Sequence, residues 1–229
     1  MKISISQPAY IPWLGYLERI NNSDLHVVLD HVPDGKKSML NRNKIRTSSG
    51  WTWLTVPIIS KNRYGSLKIN ELKIDNSFNW SLKHWKSIKG SYSNTQFFKH
   101  YQDFFEDIYS SNHENIAQLN QKITDYLLKN FKINTPIIHS SSLGLKSSKS
   151  ELILDICKHT KASEYISGPF GRDYLNLESF KNASIRVEFH NFKHPHYSQN
   201  YDGFEKNLSA IDLLFNYGEN SGDILKNNI

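Results

Sequence analysis

ISISQPAYIPWLGYLERINNSDLHVVLD, residues 3–30, reads as a strand, a proline-bounded loop, a helix and a second strand. Ile3 and Ile5 alternate with serines, the period of a half-buried strand. Pro8 and Pro12 donate no ladder hydrogen bond, so that strand stops at Gln7. From Leu14 the period turns helical: Leu14, Leu17 and Ile20 share one face, Glu18 and Arg19 another, and Asn21-Asn22-Ser23 ends the run. Leu25 to Leu29 is the second apolar run. Two strands joined through one short helix fit a right-handed βαβ unit, and in open α/β sheets ligands gather beyond the carboxyl ends of such strands. Gln7, Tyr10, Trp13, Asp30 and His31 meet at that end. Rigid prolines and a glutamine there suit a pre-set polar pocket, although either aromatic alone would equally plug the edge of a core.

Working outward, Trp51–Ile59 and Leu67–Ile74 have the composition of further strands extending the sheet, with a turn at Tyr64-Gly65 between them. Residues 80–131 carry helical apolar stripes in three runs, Trp80–Lys89, Phe97–Tyr109 and His113–Phe131. Thr135–His139, Tyr165–Pro169 and Ser184–Phe189 read as strands, and Lys149–His159 and Leu208–Gly218 as helices. The expected fold is α/β, an opening βαβ unit and a mixed sheet with a helical middle segment, in one domain over residues 1–229.

With 229 residues, 38% of them hydrophobic, the chain has enough apolar side chain for a sizeable core. Its net charge of +6, from 28 Lys+Arg against 22 Asp+Glu, is spread along the chain. That favours anionic ligands without choosing one, and no basic stripe or module points to nucleic acid. One cysteine, Cys157, excludes an intramolecular disulfide and a cysteine zinc cluster. No run reaches bilayer-spanning length and no leader pattern opens the chain, so a cytoplasmic protein without a membrane span is expected.

Several positions carry chemistry. Lys36, Lys37, Arg42, Lys44 and Arg46 crowd the turn at Pro33-Asp34-Gly35, where a solvated basic loop accounts for the two lysines. Asn41-Arg42 lies between apolar residues, and Arg42 could fork onto a phosphate or carboxylate. Ser140-Ser141-Ser142-Leu143-Gly144 fits either a phosphate-cradling loop or a surface loop, since the GxxxxGK[ST] spacing is absent. Trp80 and His84 share a helix face, which suits a packed, hydrogen-bonded histidine. Cys157 falls on an apolar helical face and reads as core. Ser167-Gly168 ends a strand, where glycine admits close backbone approach. The segment His190 to Gln199 holds three histidines in seven residues, at 190, 194 and 196. No clustered cysteine or carboxylate supports a metal there. A histidine stiffened by Pro195 suits a general base, and an inert solvated loop fits as well. Ser209 and Asp212 occupy capping positions of the last helix, with Gly218 at its end.

QPAYIPWLGY, then SDLHVVLD and NRNKIR, then YISGPFGRDYL (165–175), HPHYSQ (194–199) and LSAIDLLFNYG (208–218), resemble in order the motifs of the WbqC-like family of bacterial polysaccharide and O-antigen genes. The resemblance implies a role in decorating a surface-polysaccharide sugar. It points to an aminoacyl or acyl transferase moving a glycyl-type group from a carrier-protein thioester, on its phosphopantetheine arm, to the amine of a nucleotide-linked amino-dideoxy sugar. No bound cofactor is expected. His194 and Tyr197 match family positions and His196 a variable one, so His194 is the expected base, helped by Asp30 or Asp212, with Gln7 polarising the carbonyl. Substrate contacts are expected from Tyr10, Trp13, Asn41, Arg42, Ser167, Gly168, Gln199 and Asp212. The opening unit is also faintly similar to HxGH-type nucleotidyl transferases, but Trp13-Leu14-Gly15-Tyr16 replaces both histidines. The alternative is a non-catalytic nucleotide-sugar binding module that stacks its ligand on Trp13 and Tyr10.

Overall fold

Ile3 and Ile5 turn to one face of the first strand and Ser4 and Ser6 to the other, and that alternation divides the molecule. In the computed structural model, which describes residues 1–35, 38–59, 61, 65 and 67–227, β1 (Lys2–Ser6), α1 (Leu14–Asn21) and β2 (Leu25–Val28) form a parallel βαβ unit. Ile3 stands opposite Leu25 and Ser6 opposite Val28. Lys36 and Lys37, beside the anticipated turn at Pro33-Asp34-Gly35, and Tyr64 of the anticipated Tyr64-Gly65 turn lie outside the described residues.

The next segment departs from the sequence reading. Arg42–Thr47, within the expected polar loop, is a strand, β3, paired antiparallel with β4 (Gly50–Thr55). Both of its faces are covered, so Asn43 and Arg46 are buried along with Ile45, and no apolar alternation marks it. This hairpin is a two-stranded sheet of its own and does not extend the main one. Leu67–Ile74 is not a strand either. One 3-10 turn at Ile69–Glu71 and isolated bridges at Lys68, Lys73 and Ile74 replace it. Its backbone is spent on loop partners, with the Asn70 N–H on Asp30 O at 2.9 Å and Asn70 O accepting from Asn115 Nδ2 at 2.7 Å.

The helical middle is present as α2 (Trp80–Tyr92), α3 (Phe98–Ser110) and α4 (Ile116–Asn130). After it come β5 (Ile137–His139), α5 (Lys149–His159), β6 (Glu164–Ser167), α6 (Leu177–Asn182), β7 (Arg186–Phe189), α7 (Ile211–Tyr217) and α8 (Ser221–Lys226). The main sheet runs β5-β2-β1-β6-β7 with every pairing parallel, so it is not mixed. From β1 the chain moves outward through β2 to β5, then crosses to β6 on the other side of β1. The strand order therefore reverses between β1 and β6, the switch point of a doubly wound sheet.

Ile3, Ile5 and Val27 pack on Leu152, Ile156 and Cys157 of α5 and on Phe180. The larger core joins α1 to the helical middle and α7 through Leu17, Ile20, Ile88, Phe105, Ile123 and Phe215. Beneath α1 the sheet face is polar: Ser4 Oγ lies 2.8 Å from His26 Nδ1 and Ser6 Oγ 3.3 Å from Nε2. Burial, with the charge of Arg19 added, takes the pKa of His26 down to about 3, so it is neutral.

Candidate functional site

Beyond β7 the chain runs from His190 to Phe204 without regular structure, and aromatic packing places it. His190 Nε2 bonds the Glu18 carboxylate of α1. The Phe192 ring settles on Gly15, where a Cβ would come within 2.8 Å of Phe192 Cδ1; a side chain at 15 would displace this strap. The half-buried His194 ring lies edge-on to Phe192 and Phe204, with centroids 5.7 and 5.6 Å away, and near-parallel to Tyr197 at 6.1 Å. Its Nδ1 is 2.8 Å from Pro195 O. A carbonyl only accepts, so Nδ1 carries the proton and Nε2 keeps its lone pair. Burial lowers the pKa of His194 against the opposing bond to Pro195, and Lys206 lowers it further. A neutral imidazole with one nitrogen fixed as donor and the other free to accept is the form a general base requires.

Tyr197 holds that ring in place and is itself held from below. Its hydroxyl donates to Asp212 Oδ2 at 2.9 Å, Gln199 Nε2 donates to the same oxygen at 3.0 Å, and the Tyr92 hydroxyl donates to Oδ1 at 3.0 Å. Asp212 thus faces inward from α7 and does not cap it; the N-cap of α7 is Ala210, and Ser209 Oγ, one residue earlier, accepts from Ile211 N at 3.4 Å. Burial raises the Asp212 pKa to about 6 despite these three donors and nearby Arg46. Asp212 does not orient His194 directly, because Pro195 occupies Nδ1; it acts on the histidine through the Tyr197 ring. Arg46 closes the group, donating from Nη1 to Thr47 O at 2.9 Å and Gly50 O at 2.7 Å, and from Nη2 to Asp202 O. Above lies a cavity of ≈ 440 Å³ lined by His196, Tyr197, Gln199, Tyr201, Asp202 and Phe204.

Asp30 belongs to a second cluster, at the carboxyl ends of β2 and β5. It accepts from Ser140 Oγ (3.1 Å), Ser141 N (2.9 Å) and Ser141 Oγ (2.8 Å), and His139 Nδ1 lies 3.0 Å away. Against burial, which would raise it, these bonds hold its carboxyl below the usual range. Its oxygens are committed there, so it is not the partner of His194. The serine loop spends its Ser141 N–H on Asp30 and does not present it to a phosphate. A cavity of ≈ 420 Å³ adjoins, lined by His31, Lys68, Asn70, Ser140, Ser141 and Lys146 among others.

The remaining expected positions do not join these two. Tyr10 is fully buried, its hydroxyl 2.8 Å from His84 Nδ1 and 2.7 Å from Tyr109 Oη, so it offers no stacking face. His84 is a packed histidine whose pKa burial takes to about 4. Gln7 Nε2 reaches Pro33 O at 3.5 Å. Half-buried Trp13 lies edge-on to Tyr16 and bridges Ser209 through its backbone. Asn41 Nδ2 donates to Val56 O at 2.6 Å, and the Arg42 guanidinium lies 4.8 Å over Trp53. Ser167 is buried with its hydroxyl on Gly168 O, and the Arg19 guanidinium, not a ligand, approaches Gly168. Cys157 is core, its thiol pushed up to about 12 by burial.

Sequence reasoning missed Arg46 and Tyr92, whose roles depend on β3 being a strand, and it set Arg19 with Glu18 on the face of α1 away from Leu14, Leu17 and Ile20, whereas the structure buries Arg19. The sequence model of the WbqC-like protein family matches residues 7–224. The chain belongs to the WbqC-like protein family. It is 34% identical over 227 residues to the uncharacterized protein Rv1507c of Mycobacterium tuberculosis, covering 98% of this chain and 97% of that one. No solved structure gives a significant match to this WbqC-like chain. Among its described residues no helix is long and apolar enough to cross a membrane.

Proposed function

We propose that this WbqC-like protein is an acyl or aminoacyl transferase of surface-polysaccharide biosynthesis, moving a glycyl-type group from a carrier-protein thioester to the amine of a nucleotide-linked amino-dideoxy sugar. The observation that supports the reading is His194: its Nδ1–H is fixed on Pro195 O, which leaves Nε2 as the acceptor, and its ring stacks on Tyr197, which Asp212 anchors and which, unlike His194 itself, lines the ≈ 440 Å³ cavity. His194 Nε2 takes a proton from the sugar ammonium, which is not nucleophilic while protonated. The freed amine nitrogen bonds to the thioester carbonyl carbon, the carbon–sulfur bond breaks, the departing thiolate takes up the second proton that the nitrogen sheds on becoming an amide, and the His194 imidazolium returns the first to solvent. The amide and the free carrier thiol are the products.

The binding-module alternative loses one of its two stacking faces, since Tyr10 is sealed in the core. The test is mass spectrometry of a dTDP-4-amino-4,6-dideoxy sugar incubated with the protein and glycyl-loaded carrier. A protein-dependent glycyl mass gain supports the transferase. Saturable sugar binding without gain from any loaded carrier supports the binding module.

A further inference from the structure

Arg19 is buried, 8% exposed, yet among the described residues no carboxylate pairs with it and no acceptor reaches its buried Nε. The adjacent carboxylate is spoken for: Glu18 accepts from Asn22 Nδ2 at 2.6 Å on one oxygen and bonds His190 with the other. The positive charge is felt around it. Beside the dominant effect of burial, Arg19 pulls down the pKa of Tyr16, His26, Tyr165 and Tyr174.

Its position is specific. The β1–β6 register sets Ser4 opposite Ile166, and Gly168 follows directly on the carboxyl end of β6, beside β1, where the sheet order reverses. Arg19 Nη1 occupies the space that a Cβ on residue 168 would fill, so the absent side chain brings the guanidinium to that edge. Ser6 Oγ lies 3.3 Å from His26 Nε2, and the buried Tyr16 ring packs edge-on to that imidazole with centroids 5.9 Å apart. Two residues past Gly168, Phe170 is 78% exposed, an apolar plate at the rim.

We propose that Arg19 is an anion-binding residue that holds a phosphate group of a ligand in the crevice between the carboxyl ends of β1 and β6. A guanidinium offers a planar fork of donors to a phosphate, and ligands of open α/β sheets collect at this switch point. The phosphate can come from a nucleotide sugar or from a phosphopantetheine arm. The proposal concerns binding alone and stands whether or not acyl transfer does.

The test is the melting temperature of the full chain titrated with inorganic pyrophosphate at fixed ionic strength, for wild type, Arg19→Gln and Gly168→Ala. The expected wild-type result is a saturable rise. Arg19→Gln melts at or above wild type without ligand and shows no rise. Gly168→Ala keeps the fold, because Gly168 has φ −64° and the obstructing atom is the end of a flexible side chain, but it displaces the guanidinium and needs at least tenfold more pyrophosphate. Parallel titrations with dTDP and with coenzyme A identify the source as the one giving the Arg19-dependent rise at lower concentration. No wild-type rise, or equal rises in wild type and Arg19→Gln, overturns the proposal. Should Arg19→Gln not fold, an unchanged rise in Gly168→Ala overturns it.

Discussion

Replacing Asp212 by asparagine turns a buried carboxyl that titrates at about 6 into an amide that never ionises. Burial raises the wild-type value from an ordinary 3.8, so the folded state holds this proton more tightly than the unfolded chain. The stability it contributes is complete below the unfolded value and is lost as pH rises through the folded one. About two pH units at ~1.4 kcal/mol each come to roughly 3 kcal/mol, and with 0% exposure there is little solvent screening to discount. The amide accepts on one side only, leaving one tyrosine hydroxyl unpaired at about 1–3 kcal/mol, a cost independent of pH. The assay is urea unfolding of both proteins across about pH 4 to 7, plotting wild-type minus variant stability. Asp30 and Glu188, held low by their partners, titrate in both proteins and cancel. The difference should fall by roughly 3 kcal/mol as pH rises through that window. A flat difference would refute the reasoning, meaning that Asp212 is ionised throughout.

Other substitutions test the frame around His194. Gly15→Ala should leave stability near wild type, the helix gaining about 0.5–1 kcal/mol while the Phe192 ring is pushed away, but it should cut transferase turnover by up to about 100-fold; Phe192→Leu in the same protein should restore it. Asn43→Ala should lower the urea midpoint by an amount equal to about 1–3 kcal/mol, because Asn43 Nδ2 holds Ile11 O at 2.8 Å. That carbonyl belongs to a fully buried, β-branched residue at φ +35°, a conformation that needs outside restraint; an unchanged midpoint would mean that packing alone restrains it. Cys157→Ala should keep wild-type turnover, and the native thiol should resist alkylation until the protein unfolds, since its pKa is about 12. Rapid labelling of the folded protein would count against that placement.

The βαβ opening was legible because its signals are local: serine–isoleucine alternation, two prolines and a helical period all lie within 30 residues. The α5 helix matches the sequence reading at both ends, Lys149–His159, for the same reason. β3 was not legible because its buried positions include Asn43 and Arg46, held by partners elsewhere in the chain. The site divides along the same line. His194, Tyr197 and Gln199 lie within six residues, so sequence could group them, whereas Asp30 found its partners at the end of β5 and in the turn after it, beyond the 29–136 insertion. A strand end can be read from sequence, but which strand lands beside it cannot. Tyr10 shows the converse, since its loop looked like a pocket wall until His84 and Tyr109 claimed its hydroxyl.

The central claim is that His194 is the base, and the exposed His196 two residues away supplies the control. The measurement is the rate of glycyl mass gain on the amino sugar for wild type, His194→Ala and His196→Ala, each first shown to be folded. At saturating sugar, where the loss of a contact from the cavity lining does not limit the rate, His196→Ala should transfer at near the wild-type rate and His194→Ala should fall by about 100- to 10,000-fold, the usual weight of a general base. Transfer at the wild-type rate by His194→Ala would contradict that claim.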